Sequence, residues 1–292
     1  MRSLLFVPAD SERKLEKGLE SGADILIVDL EDSVSAANKR AAREMAAAFI
    51  AGRDRASAPA LYVRVNDLAT GLTDDDLAAV IAARLRGVML PKSGGIDDVR
   101  RLAVKLRVHE ARAGIEDGAT RIIPLVTETA AGVLNAATYA TGEPRMEALT
   151  WGAEDLSAAI GAQATRDADG RLTDVFRLAR ATTILAASAA EVPAIDTVFP
   201  DFRDLDAFRR SCEEAVRDGF AGCMAIHPAQ VPIINEVFSP SPEAIAEAEG
   251  IVAAFAAEGN PGVVAISGKM FDRPHLRRAE NLLSRAGKSA GA

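Results

Sequence analysis

Short apolar runs alternate with longer segments of helical period along most of this chain. Eight runs read as strands: Ser3–Pro8, Asp24–Leu30, Ala60–Asn66, Gly87–Pro91, Ile122–Thr127, Ala148–Gly152, Ala194–Phe199 and Cys223–His227. A helical segment follows each: Glu12–Ser21, Ala37–Gly52, Thr73–Arg84, Ile96–Ala113, Ala130–Thr141, Val175–Ala190, Leu205–Asp218 and Pro232–Phe238. Eight βα units over this length predict an α/β protein of the closed (β/α)8 barrel type, with its site at the carboxyl ends of the strands. An open doubly wound sheet is the alternative. The count of eight and the lack of a G-x-G-x-x-G after the first strand favour the barrel.

The barrel pattern covers residues 1–240 and then stops. Residues 241–292 read as a C-terminal extension, a lid or an oligomer arm. It holds a helix over about Pro242–Glu258, Gly and Pro punctuation around a short apolar piece, and an amphipathic helix. The final RAGKSAGA is expected to be disordered.

Composition narrows the function. A net charge of −8 over 292 residues argues against a nucleic-acid surface as the main role, although a local basic patch could meet a phosphorylated ligand. Aromatics make up only 4%, so Ala, Val, Leu and Ile must fill the core. Two cysteines, Cys212 and Cys223, are too few for a disulfide framework and form no C-x-x-C. With no signal-peptide pattern and no membrane-length apolar run, a cytoplasmic protein is expected.

The strand ends are unusually polar. The second strand runs into Asp29-Leu30-Glu31-Asp32, the third into Arg64-Val65-Asn66 and the fourth into Pro91-Lys92. Glu128 closes the fifth strand, Glu154-Asp155 follow the sixth, the seventh contains Asp196 and the eighth ends in His227-Pro228. On a barrel these groups share one rim, where two carboxylates such as Glu128 and Asp155 can converge on a hard cation. Oxygen ligation with open positions suits Mg2+ and an oxygen-rich small substrate. Each residue also has a plainer reading. Glu128 and Asp155 could be helix caps, Arg64 could pair with Asp29 or Glu31, and Lys92 with Asp97 or with solvent. His227 could be structural, Cys223 core, and Asp272 a turn or cap residue.

Taken in order, these motifs resemble the citrate lyase beta-subunit-like proteins, a family that includes citryl-, citramalyl- and malyl-CoA lyases and malyl-CoA thioesterases. The resemblance rests on Arg2-Ser3-x-Leu5-Phe6-Val7-Pro8, Asp29-Leu30-Glu31-Asp32-Ser33-Val34, Lys39-Arg40-x-x-Arg43, Arg64-Val65-Asn66 and Leu90-Pro91-Lys92. It continues through Glu128-Thr129, Gly152-x-Glu154-Asp155-Leu156, Ile226-His227-Pro228 and Gly268-Lys269-Met270-x-Asp272-x-Pro274. Phe271 stands where the pattern carries an aliphatic residue.

The resemblance implies roles. Glu128 and Asp155 would be direct Mg2+ ligands, and Glu31 and Asp32 would hold metal-bound waters. Arg64 would contact the oxygen that alternates between hydroxyl and ketone. Arg13 and Lys17 are candidates for the CoA phosphates. Asp272 would reach a neighbouring subunit's barrel as acid or base at the thioester α-carbon, in a homotrimer or hexamer. The implied reaction is retro-Claisen cleavage of a 3-hydroxyacyl-CoA to acetyl-CoA and a 2-oxo acid such as glyoxylate, pyruvate or oxaloacetate. A malyl-CoA thioesterase, a metal aldolase on free hydroxy-oxo acids and a non-catalytic subunit of a lyase complex are the competing expectations.

Overall fold

The computed structural model describes residues 1–53, 59–259 and 261–287. Eight parallel strands form one sheet: β1 (Ser3–Pro8), β2 (Ile25–Asp29), β3 (Ala60–Arg64), β4 (Gly87–Leu90), β5 (Arg121–Pro124), β6 (Leu149–Thr150), β7 (Ala194–Asp196) and β8 (Gly222–Ala225). Their order is β5-β4-β3-β2-β1-β8-β7-β6. Parallel bridges Ile122–Met146 and Leu125–Thr150 join the two ends of that order, so the sheet is a (β/α)8 barrel with few open edge groups.

The helices are α1 (Glu12–Leu19), α2 (Lys39–Ala51), α3 (Thr73–Val80), α4 (Ile96–Arg112), α5 (Ala130–Asn135), α6 (Ala153–Ile160), α7 (Asp174–Ala189), α8 (Leu205–Asp218), α9 (Val231–Val237), α10 (Pro242–Ala257) and α11 (Arg273–Arg285). Among the described residues no helix is long and apolar enough to cross a membrane.

Register decides which side chains fill the barrel. Leu4, Ile25, Ile27, Tyr62, Met89, Ile123, Leu125, Ala148, Ile195 and Met224 form its interior cluster. Side chains alternate along a strand, so the residues two further on from Ile27 and Tyr62 also point inward. These are Asp29 and Arg64, and they are direct register partners.

Two features differ from the pattern reading. The sixth unit carries α6 before α7, with an antiparallel Arg166–Leu172 bridge between them. At eight residues, ended by left-handed Gly161 (φ 70°), α6 is too short to show a clear helical period. In the extension, the short apolar piece is the first strand of a hairpin, β9 (Val263–Ile266) with β10 (Lys269–Asp272). Ser267 and Gly268 turn it with φ of 49° and 79°, the left-handed pair that a two-residue hairpin requires.

The chain divides into two compact units, Met1–Asn235 and Glu236–Ala292. The second has its own apolar cluster, in which Ile251 and Phe255 of α10 and Leu276, Ala279 and Leu283 of α11 pack with Val264 of β9. The expectation for the RAGKSAGA tail falls outside the described residues from position 288 on; Arg285 ends α11.

Candidate active site

A cavity of about 320 Å3 opens at the carboxyl end of the barrel, lined on its polar side by Asp29, Arg64, Glu128, Glu154 and Asp155. Its remaining wall is largely apolar, with Phe6, Pro8, Leu125, Ala153, Val198, Met224 and Ile226.

Each polar group is placed by local structure. Glu128 precedes Thr129, the N-cap of α5, whose hydroxyl accepts from Gly132 N at 3.0 Å. A Cβ on Gly132 would lie 2.8 Å from Val126 O and 2.9 Å from Ser93 O, so only glycine lets this turn close. Glu128 is thereby held at 3% exposure, its Oε2 accepting from Lys92 N at 2.5 Å. Burial, together with the Asp155 and Glu31 carboxylates, pushes its carboxyl up to about 8. Asp155 sits in the first turn of α6, where the helix dipole favours a negative charge.

Arg64 is locked from below. Its Nε and Nη2 donate to Asp29 Oδ1 and Oδ2 at 2.8 and 2.7 Å, the bidentate geometry a guanidinium suits. Its face lies 4.9 Å from the centre of the Phe6 ring. Nη1 is 2.9 Å from Glu31 Oε2. That approach is an ion pair but not an aligned hydrogen bond, so Glu31 Oε2 is buried with its acceptor capacity unmet. A guanidinium has five N–H donors, so Arg64 keeps some free for a ligand. The ion pairs hold Asp29 below the usual carboxylate range against strong desolvation, whereas burial outweighs them for Glu31 and raises it.

The basic motif at the start of α2 is scaffolding. Lys39 Nζ donates to the carbonyls of Leu30 and Glu31, both at 2.7 Å. Arg43 Nε donates to buried Asp76 at 2.6 Å, and Asp76 in turn accepts from Asn66 N and Nδ2, both at 2.7 Å.

The donor set suits a small hard cation. Glu128 and Asp155 line one cavity, and Glu31, paired with Arg64 and Lys92, keeps a buried oxygen unmet. Among the described residues no group of three or more His, Cys, Asp or Glu side chains is placed to hold a metal ion, so a cation here would rest on two carboxylates and take its other ligands from water or substrate. Two carboxylates with open positions fit Mg2+, which keeps several waters, better than they fit Zn2+.

Of the residues singled out from sequence, Arg64, Glu31, Glu128 and Asp155 come together. Exposed Asp32 joins through Lys92 Nζ at 3.4 Å. Arg13 and Lys17 are exposed on α1 and do not line the cavity. Asp272 is the N-cap of α11 in the second unit, half exposed and paired with His275, whose hydrogen bonding holds its carboxyl below the usual range.

The remaining strand-end residues lie elsewhere or have other partners. Asp196 lies outside the cluster: it accepts from Trp151 Nε1 at 2.6 Å and pairs with Arg180 of α7, behind the strand. A larger cavity of about 530 Å3 lies on that outer side, lined by Asp196 and Arg180 but by none of the residues to which the resemblance assigns a role. Lys92 pairs with neither Asp97 nor solvent but with Glu31 and Asp155. His227 caps the turn that follows it, and Cys223 is buried.

The plainer reading of Arg64, as a partner of Asp29 or Glu31, also holds, since it binds both. Register with Arg64 decides between the two acids that the sequence offered it, giving Asp29 the bidentate pair. The sequence offered no role for Gly152 and the wrong partner for Lys92. A Cβ on Gly152 would lie 2.8 Å from Glu128 Cγ.

Residues 2–228 match the HpcH/HpaI aldolase/citrate lyase family. The chain is 36% identical over 286 residues to a citrate lyase subunit beta-like protein of Mycobacterium tuberculosis, covering 98% of this chain and 95% of the relative. It is 34% identical to the mitochondrial citramalyl-CoA lyase of Mus musculus (98% and 86% covered). It is also 34% identical to a (3S)-malyl-CoA thioesterase of Cereibacter sphaeroides (98% and 94% covered). Among solved structures, the CitE protein of M. tuberculosis in complex with magnesium, acetoacetate and coenzyme A superposes with a TM-score of 0.79, at 35% identity and 98% coverage of both chains.

Proposed function

Because this chain belongs to the HpcH/HpaI aldolase/citrate lyase family, we propose that it is a Mg2+-dependent lyase. It would cleave the C–C bond of a 3-hydroxyacyl-CoA such as malyl-CoA or citramalyl-CoA to acetyl-CoA and a 2-oxo acid. The observation that carries the reading is the convergence of Glu128, Asp155 and Arg64 on one half-apolar cavity. The relatives named as citramalyl-CoA lyase and the CitE complex with magnesium and coenzyme A support it.

In this reading Glu128 and Asp155 hold the cation, and Glu31 and Asp32 hold its waters. A divalent cation bound there supplies Lewis-acid polarisation of a substrate oxygen. Arg64, rigid against Asp29 and Phe6, directs its remaining N–H donors at the oxygen that changes between hydroxyl and ketone, and so favours the form with more negative charge. The apolar wall of Phe6, Leu125, Val198 and Met224 keeps water from the acyl carbon chain. The hydroxyl proton leaves to water as the C–C bond breaks and the carbonyl forms, and a proton must then be delivered to the α-carbon of the departing thioester enolate. Asp272, exposed beside His275, is the group we assign to it. As a carboxylate it removes the same proton in the condensation direction. Arg13 and Lys17 on α1 are assigned to the CoA phosphates, and a homotrimer or hexamer that shares Asp272 between subunits is part of the proposal.

The thioesterase relative marks the second reading, with water delivered to the thioester in the same site. Purified protein incubated with racemic malyl-CoA and citramalyl-CoA, with Mg2+ or with EDTA, decides between them by mass spectrometry. Metal-dependent acetyl-CoA with glyoxylate or pyruvate supports the lyase. Free CoA with an intact hydroxy diacid supports the thioesterase. No turnover of either substrate rules out malyl-CoA and citramalyl-CoA and moves the reading to a different acyl-CoA or a carrier-bound substrate.

A further inference from the structure

Lys92 does not line the cavity, yet it meets four carboxylates through its two ends. It follows β4 in the left-handed conformation, φ 51°, uncommon for a residue other than glycine. That backbone aims its N–H at Glu128 Oε2, 2.5 Å away. Its ammonium pairs with Glu31 and lies 3.4 Å from both Asp32 Oδ2 and Asp155 Oδ1. The local partner, Asp97, is taken by Arg100 at 3.1 Å. Lys92 therefore ties together acids from the segments after β2, β5 and β6. Like charges oppose that convergence, and a cation among them offsets part of the repulsion.

We propose that Lys92 is a built-in counter-cation of the metal site, holding its carboxylates together in the metal-free protein at the expense of affinity for the divalent cation. The proposal rests on the metal-lyase reading above. Lys92 acts through the acids it touches and so is a positioning residue.

The sign of its effect distinguishes this role from a merely structural one. A lysine that only shaped the ligands would, on removal, weaken metal binding. A counter-cation would, on removal, tighten it, because the site gains one negative charge, and would leave the metal-free fold less stable. Lys92→Met removes the ammonium and keeps the backbone N–H to Glu128.

The test uses full-length protein: Mg2+ titration by calorimetry, and thermal unfolding with EDTA or saturating Mg2+. For Lys92→Met the expected result is about tenfold tighter Mg2+ binding, a lower melting temperature in EDTA, and a larger upward shift on adding Mg2+. Lys92→Arg, which keeps the charge, should restore both values toward wild type. If Lys92→Met aggregates, Lys92→Gln can still donate to Glu31 and carries the same expectation. Unchanged or weaker Mg2+ binding in the neutral variants overturns the role of Lys92 while leaving the metal site standing. A flat titration of the wild-type protein overturns the metal reading itself.

Discussion

Gly152→Ala tests the placement of Glu128 with a single methyl group. Gly152 has φ −125° and ψ 124°, an extended backbone that any residue adopts, so alanine there is opposed by neighbours and not by torsion. The new Cβ would lie 2.8 Å from Glu128 Cγ, 3.0 Å from Oε1 and 3.3 Å from Cδ. Non-bonded carbons pack at about 3.5–4.0 Å, so the Glu128 side chain must retreat by roughly 1 Å. It has little room to do so, being 3% exposed and held by Lys92 N. Overpacking costs about 1–3 kcal/mol, and replacing glycine at a compatible backbone returns about 0.4–1 kcal/mol. The net loss of about 1–2 kcal/mol should lower the melting temperature by only a few degrees. A 1 Å displacement at the reacting centre is worth roughly a hundredfold in rate. Activity should therefore fall far more than stability. The assay is kcat/KM on the CoA thioester that the product assay identifies, with calorimetric Mg2+ affinity and thermal unfolding alongside. A Gly152→Ala protein with wild-type kcat/KM and wild-type metal affinity would refute the reasoning, because Glu128 would then have moved without consequence.

Three further outcomes are expected. Asp272→Asn should lower turnover at least about a hundredfold while Mg2+ affinity stays at the wild-type value; wild-type turnover would remove Asp272 from the mechanism. Glu128, raised to about 8 from a reference of 4.5, keeps in the metal-free fold a proton that the unfolded chain loses. Its stabilising contribution is present in full below about pH 4.5 and is lost as pH rises through about 8. Mg2+ requires the carboxylate, so binding near pH 7 should release close to one proton, seen as a calorimetric enthalpy that varies with the buffer's ionisation enthalpy; an enthalpy independent of buffer would contradict the shift. Arg145→Met should destabilise the barrel by about 3–5 kcal/mol in urea unfolding, because it strands fully buried Glu110, now bound at 2.9 and 2.7 Å. It should leave kcat unaltered, and a parallel loss of kcat would mean that this pair reaches the site.

The number and order of the βα units were legible in the chain because each is a local pattern: a buried apolar run, then a helical period. Strand-end position put Arg64, Glu128 and Asp155 among the candidates, together with Asp29, Lys92, Asp196 and His227, since a barrel gathers all its strand ends on one face; the family resemblance assigned the roles. Local pattern could not say which way each acid points. Asp29 ends an uninterrupted apolar strand, Ile25–Asp29, whose inner and outer faces look alike in sequence. Register with β3 turns Asp29 inward to Arg64, while the register of β7 turns Asp196 outward to Trp151 and Arg180. The same limit applies to Lys92. Sequence offers it Asp97, five positions on, but barrel closure brings it Glu31 and Asp155, which are 61 and 63 positions away. The residue types of the candidate site were therefore legible at and just after the strand ends. Their pairing was decided by the sheet, because a contact between distant loops exists only once strand register has fixed where each side chain points.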